Sequence, residues 1–445
     1  MGPRQRRRPG IESEGETGMR KIVELLAKHP AIADYKINIH EKESCELFFV
    51  KGKLETVRRT DTCDKEVTVY VDHDGFRGDA QFLVYASTTE EQLSKLIEEA
   101  VEMAKLISNA MYTLPENETG DFEVESNFKE YDAAALAELT ANTVFAANTV
   151  ENGTLNSVEV FINKHKDTVL NSRGLHKTQV RYDAMAEAIP TYNGKGLSVE
   201  LYEQYNFNTF DAEAMTREIA GKMAEVKARY EAVRPDFEIN CKVVLNKREL
   251  SGLFARIASN LNYASVYAHA NIFSKGDLVQ KAPTGDLITI TGAGAVEGCC
   301  KSTKFDTDGL SLGSIVCVAD GKVVNYYGSN RFGQYLGEKP TGDLQCICVK
   351  PGTAKASDIE NGPYMEIIST SGMQVDFFND YIGGEVRLAY YHDGEKVTPI
   401  TGISVAGKLS DVLNSIELSE NTIVSNGYSG YFGPEKAILH GMKVF

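Results

Sequence analysis

The chain changes texture at Arg234-Pro235, and that change limits the folds open to it. Before this point, apolar residues at three- and four-residue steps alternate with period-two stretches, the marks of amphipathic helices and half-buried strands. Helical patterns cover residues 20–29, 133–150 and 212–233. Another starts at the Ser87/Thr88/Thr89 cluster and carries Leu93, Leu96, Ile97, Ala100, Val101 and Ala104 on one face. Strand patterns cover 35–42, 47–58, 66–72, 78–85, 157–164, 167–170, 177–188 and 197–207, with Asp74-Gly75 as a turn. Proline at 235 disfavours helical geometry at the residue before it and so closes the last of these helices.

Beyond Pro235, strand and turn signals dominate after a single opening helix. Asp320-Gly321 joins strands at 315–318 and 322–327, and Asp393-Gly394 joins 385–391 to 396–400. No sustained βαβ rhythm is present, which argues for the α+β class. The expectation is two different α+β domains. The first, residues 19–234, sets helices on an antiparallel sheet, in two segments that break near 115–130. The second, residues 235–445, is β-rich and opened by one helix. A length of 445 residues suits such a division, because a single core rarely grows that large. Residues 1–18 run from clustered arginines to glutamates with almost nothing apolar, so they read as a disordered tail, with Met19 as the natural start.

The opening helix of the second domain, residues 246–263, reads NKRELSGLFARIASNLNY. Leu250, Leu253, Phe254, Ile257, Ala258 and Leu261 fall on one stripe, which predicts burial of that face. Asn246 followed by Glu249 has the form of a capping box. After Glu249 the helix carries no carboxylate, histidine or cysteine, so it offers neither a metal ligand nor a general base.

Composition excludes several classes. The net charge of -16 opposes close approach to phosphate backbones, so no direct nucleic-acid contact is expected. No window approaches the roughly 18 uninterrupted apolar residues of a membrane span. Eight cysteines in so long a chain do not make a disulfide framework. Cys299-Cys300 and Cys346-x-Cys348 lack zinc-knuckle spacing, and the latter pair falls on one face of a strand pattern. Free thiols and a cytoplasmic location follow.

Motifs for other chemistry fail on context. Gly292-x-Gly294 with Gly298 follows a strand pattern, but no helix clearly follows to receive a dinucleotide. The eight histidines are scattered, with no two within five positions; only His269 lies near the opening helix. Ser369-Thr370-Ser371-Gly372 is not a nucleophile elbow.

Residues 304–342, KFDTDGLSLGSIVCVADGKVVNYYGSNRFGQYLGEKPTG, combine an Asp-x-x-Gly turn, a strand pair around Asp320-Gly321-Lys322, Arg331 and a Thr-Gly. With Asn171-Ser172-Arg173-Gly174 and residues 366–412, this segment resembles the TldD/PmbA family, once called modulators of DNA gyrase; the resemblance makes 171–174 a turn and 366–412 part of a carboxy-terminal sheet. In that family, TldD-like members carry HExxxH on the helix that opens the last domain and are metallopeptidases acting on unfolded or short peptides. PmbA-like members, also called TldE, lack the motif and pair with a TldD-like chain.

Laid on this helix, the motif's first His-Glu positions read Ala255-Arg256 and its second His position reads Asn260. A further cysteine ligand falls near Ser425. Alanine has no donor, arginine repels a divalent ion, and asparagine is at best a weak neutral ligand. The resemblance thus implies a metal-free PmbA/TldE-like subunit without a catalytic metal or other cofactor. Its partners would be a TldD-like metallopeptidase subunit, or a second copy in a homodimer, together with a peptide substrate. Asn171, Ser172, Arg173 and Arg331 are the candidates for groove or partner contacts. The alternatives are a stand-alone homodimeric peptide- or protein-binding protein of gyrase-modulator type, and a hydrolase using other residues.

Overall fold

The computed structural model describes residues 11–427 and 430–445. Helix α1 (Ile11–Lys28) opens the described chain, so it overlaps the segment read as tail, whose residues 1–10 lie outside the described residues. Strands β1 (Asp34–Val50) and β2 (Lys53–His73) then form one long hairpin. The strand expected at 47–58 is therefore two strands around a turn. Lys51 and Gly52 both take positive φ, 48° and 73°, the two-residue geometry whose twist matches the strands it joins. Asp74 and Gly75, at 49° and 81°, repeat it before β3 (Phe76–Val84).

Helix α2 (Glu90–Ala104) begins with a true capping box between Thr89 and Gln92. After β4 (Thr119–Glu123) and α3 (Ala133–Ala146), a second hairpin of β5 (Gly153–Asn171) and β6 (His176–Asn193) follows. Strands β7 (Ser198–Glu200) and β8 (Glu203–Phe207) pair with β6, and α4 (Ala212–Glu231) ends this half. The sheet order is β3-β2-β1-β5-β6-β4. One face is apolar: Ile37, Val67 and Val69 pack under α1 and α2, while Leu47, Val160 and Ile162 pack under α3 and α4. The other is polar, as alternation along a strand requires. It carries Lys36, His40, His165, Asp167 and Lys177, with His40 Nδ1 2.5 Å from Asp167 Oδ1.

Two further sheets fill the second half. Strand β9 (Lys242–Asn246) leads into α5 (Lys247–Ser259) and the short α6 (Tyr263–Tyr267). Next come β10 (Ile290–Ala293), β11 (Ser314–Ala319), β12 (Lys322–Val323), α7 (Asn330–Tyr335), β13 (Cys346–Val349) and α8 (Ala356–Glu360). Strands β14 (Tyr364–Thr370), β15 (Gln374–Asp376), β16 (Tyr381–His392), β17 (Val397–Ile400) and β18 (Ile403–Lys408) precede α9 (Leu409–Ser415). The chain closes with β19 (Glu417–Leu418), β20 (Thr422–Asn426), β21 (Gly430–Pro434), β22 (Lys436–Leu439) and β23 (Lys443–Val444). One sheet runs β12-β11-β10-β13-β21-β20, the other β19-β22-β9-β14-β16-β18-β23. The molecule is α+β throughout, with helices packed on mainly antiparallel sheets, each of which holds one parallel pair: β4 with β6, β13 with β21 and β14 with β9.

Helix α5 lies between these two sheets, touching β10, β13, β20 and β21 of one and β9 and β22 of the other. Its stripe of Leu250, Leu253, Phe254 and Ile257 is almost fully buried and joins the largest apolar cluster. Phe254 stacks on Tyr431, ring centroids 6.4 Å apart. The helix is shorter than residues 246–263: it stops at Ser259, and Asn262 caps α6 instead. Leu261 still reaches the core, from the turn between the two helices.

Candidate functional site

The start of α5 makes half of the capping box. Asn246 Oδ1 accepts the Arg248 N–H at 3.0 Å. Glu249 does not reach back; its carboxylate accepts the Thr370 hydroxyl of β14 at 2.9 Å. Asn246 is also the last residue of β9, in register with Lys436 of β22, so its backbone belongs to a strand ladder as well as a helix.

The three positions that the resemblance sets against the metal motif have separate, structural uses. Ala255 is half-buried against the core, and Arg256 faces solvent. Asn260 spends both ends of its amide within the chain: Nδ2 donates to the Arg256 carbonyl at 2.9 Å, and Oδ1 accepts the Ile272 N–H at 3.0 Å. It closes the helix and fixes the following loop. A divalent ion would find here one cation, one methyl group and one committed amide, so the residues do not fit a metal. Among the described residues no three His, Cys, Asp or Glu side chains gather as a metal site elsewhere. His269 takes positive φ, 53°, and its N–H bonds the Val266 carbonyl at the end of α6. Thr370 and Ser371 are held by Glu249 and Glu385. No helix follows β10 after Gly294.

The turn Asn171 to Gly174 joins β5 to β6 and is anchored within its own half. Arg173 grips Asp34 through Nε and Nη2, the latter at 2.8 Å, and the Ser172 hydroxyl donates to the same carboxylate at 2.7 Å. Arg77 Nη2 stands 3.0 Å from Asp34 on another side. Burial alone would raise the Asp34 carboxyl, but the Arg173 and Ser172 hydrogen bonds and both guanidinium charges outweigh it and hold it low. Asn171 donates to the Pro115 carbonyl at 2.7 Å and accepts the Arg173 N–H at 2.9 Å.

Arg331, on α7, crosses the seam between the halves. Its Nη2 donates to Asn109 Oδ1 at 2.5 Å, its Nε to the Tyr335 hydroxyl at 3.2 Å, and the guanidinium lies over the rings of Tyr112, Phe332 and Tyr335. Gln334 and Asn330 both donate to the Thr113 carbonyl beside it.

The seam holds a cluster that motif reading did not single out. The Asp-x-x-Gly turn, Asp306 to Gly309, enters the polar face of the first sheet. Lys36 Nζ lies 2.6 Å from Asp308 Oδ1. The buried Lys177 ammonium meets Glu118, the Gly309 carbonyl at 2.8 Å and Ser311 Oγ at 2.7 Å, so its three protons are all engaged. Gly309 takes φ +84°, and a Cβ there would sit 2.6 Å from Leu175. Asp306 accepts the N–H groups of Asp308 and Leu310 at 3.0 Å. Burial, with the nearby Asp308 charge, nonetheless pushes its carboxyl up to about 6. The signal available in the sequence was the pairing of strand-facing lysines with an acidic turn more than 100 residues away, which no local pattern displays.

All eight cysteines are free thiols. Cys346 and Cys348 share a face of β13, and Cys299 joins them, its sulfur 3.2 Å from that of Cys346.

Past the carboxy-terminal end of α5 lies a cavity of about 390 Å³, lined by Tyr263, Ser311, Ser314, Ile315, Tyr326 and Glu338 among others. It runs along β11, whose outer edge is covered by β12 at Val318 and Ala319 and, just beyond, by Val324 and Asn325, which donate to the Cys317 and Val316 carbonyls. A second hollow, of about 500 Å³, lies on the β16 and β18 face around Tyr381, Glu385 and Phe445.

Two family models match the sequence: PmbA/TldA metallopeptidase domain 1 over residues 35–104, and PmbA/TldA metallopeptidase C-terminal domain over residues 238–444. No curated protein matches it. Several solved structures share the fold, among them three from different organisms. TldE from Thermococcus kodakarensis is 14% identical with a TM-score of 0.77, covering 97% of this chain and 99% of its own. A proposed modulator of a DNA gyrase from Thermotoga maritima is 15% identical with a TM-score of 0.77, over 97% and 100%. Another, from Bacteroides thetaiotaomicron, is 12% identical with a TM-score of 0.75, over 98% and 99%. With both family models in chain order and the fold matched from end to end, the chain belongs to the PmbA/TldD family.

Proposed function

We propose that this chain is the metal-free, TldE-like subunit of a cytoplasmic TldD-type metallopeptidase assembly acting on unfolded or short peptides. The observation that carries the proposal is the use of Asn260. At the position where a TldD-like chain would place its second histidine, both amide atoms are already bonded to the helix end and to Ile272. Arg256 adds a positive charge one turn away.

The contribution of the chain is then a wall and a partner surface. The open stretch of β11, Ser314 and Ile315, borders the 390 Å³ cavity and supplies backbone groups of the kind an extended peptide pairs with by strand addition. Ser311 and Glu338 on the rim can orient a peptide amine or amide. Arg331 supports this reading indirectly: its bond to Asn109, with that of Lys177 to Ser311, fixes the seam from which Ser311 projects, while residues 171–174 brace the first half through Asp34 and Pro115.

The test is cleavage of unstructured peptides by three preparations: this chain, an HExxxH-bearing relative from the same cell, and the two mixed. Cleavage by the mixture beyond that of the relative alone is expected, with none from this chain. Cleavage by this chain alone would overturn the proposal.

A further inference from the structure

Two cysteines that the site above does not use are placed for each other. Cys299 lies in the loop after β10, and Cys346 is the first residue of β13. Both side chains are buried, and their sulfurs are 3.2 Å apart. The backbone holds each of them still. The Cys299 N–H donates to the Val296 carbonyl at 3.1 Å, and the Cys299 carbonyl accepts the Ser302 N–H and the Asn208 side-chain amide, each at 3.1 Å. Cys346 sits in a ladder between Ala293 of β10 and Gly430 of β21. Gly430 makes the room for the pair, because a Cβ there would stand 2.0 Å from the Cys299 sulfur and 3.0 Å from that of Cys346.

A disulfide brings its sulfurs to about 2 Å, so this pair is roughly one ångström short of bonding. The hydrogen bond between the two thiols divides their roles. It draws Cys299 down against the effect of burial, while the same bond together with burial pushes Cys346 up. Cys299 is thus the attacking sulfur and Cys346 the resolving one. Val296, Cys348 and Val424 pack around the pair and are themselves only half-buried. An oxidant the size of water therefore has a single layer of side chains to cross.

We propose that Cys299 and Cys346 form a modification site that closes to a reversible disulfide under hydrogen peroxide. The Cys299 thiolate attacks one peroxide oxygen and the O–O bond breaks, giving the sulfenic acid and, with the proton the thiol has lost, one water. The Cys346 sulfur then displaces the sulfenic oxygen as a second water, so two thiols and one peroxide become one disulfide and two waters. The link ties together the ends of residues 299–346, a segment that carries the Asp306–Gly309 turn, β11, α7 and most of the lining of the 390 Å³ cavity. This does not rest on the peptidase reading. The test is peptide mapping by mass spectrometry on the full chain carrying Cys63→Ser, which removes the exposed thiol, after peroxide treatment and alkylation in denaturant. A peptide pair linked through Cys299 and Cys346 is expected, released by dithiothreitol, with an upward shift in Tm because the link constrains the unfolded chain. Cys299→Ser in the same background should give neither the link nor the shift. Full alkylation of both cysteines after peroxide, a link from either one to Cys300 or Cys348, or a link that leaves Tm unchanged would overturn the proposal.

Discussion

Asn260 shows how much one side chain settles. The sequence identified it as a poor metal ligand; its job as a bridge from the helix end to Ile272 needed coordinates, because the loop conformation decides which N–H it meets. Asn260→Ala removes two hydrogen bonds and is expected to cost about 1–2 kcal/mol in chemical denaturation. Metal content should not change. Asp306 gives a pH signature. Its carboxyl stands at about 6 in the fold against 3.8 ordinarily, so its favourable contribution is present below about pH 4 and lost as pH rises through 6. In Asp306→Asn that loss is absent, and the variant should gain in Tm relative to the wild type between pH 4.5 and 7.5. A Tm difference flat with pH would place the raised carboxyl elsewhere. Asn171, Ser172, Arg173 and Arg331 were legible as a turn and a lone cation, but not as anchors, because Asp34, Asn109 and Tyr112 are remote in sequence.

Among the elements, helices and faces were the most legible. The α2 cap at Thr89, the α5 stripe and the Asp-Gly hairpins all follow from local pattern. The Lys51-Gly52 turn was not, because lysine is a weaker turn signal than asparagine or aspartate and the alternation runs on through it. The end of α5 was overrun because Leu261 keeps the helical spacing while reaching the core from a turn. Since α5 is the contact between two sheets, Phe254→Ala should destabilise by about 3–5 kcal/mol in urea titration. The Asp306–Gly309 turn is one of the contacts between the halves. Gly309→Ala meets both a positive φ and Leu175, so a cost of about 1–3 kcal/mol is expected. Hydrogen exchange should quicken first around residues 304–312 and 176–179. Exchange that quickens uniformly instead would mean the seam does not open as a unit.

At the scale of the molecule, three sheets carry one buried helix whose place in the fold matches that of a metallopeptidase domain, while its residues do not form a metal site. The proposed scaffold role draws on that combination: a packed α5, a cavity at its end, and seam bonds that hold the cavity rim. The most direct measurement is zinc content by mass spectrometry of the isolated chain, purified after growth with added zinc and without chelator, beside an HExxxH-bearing relative treated identically. A metal-free subunit predicts zinc far below one per chain here and close to one in the relative. One zinc per isolated chain, retained through dialysis and lost in Asn260→Ala, would contradict it.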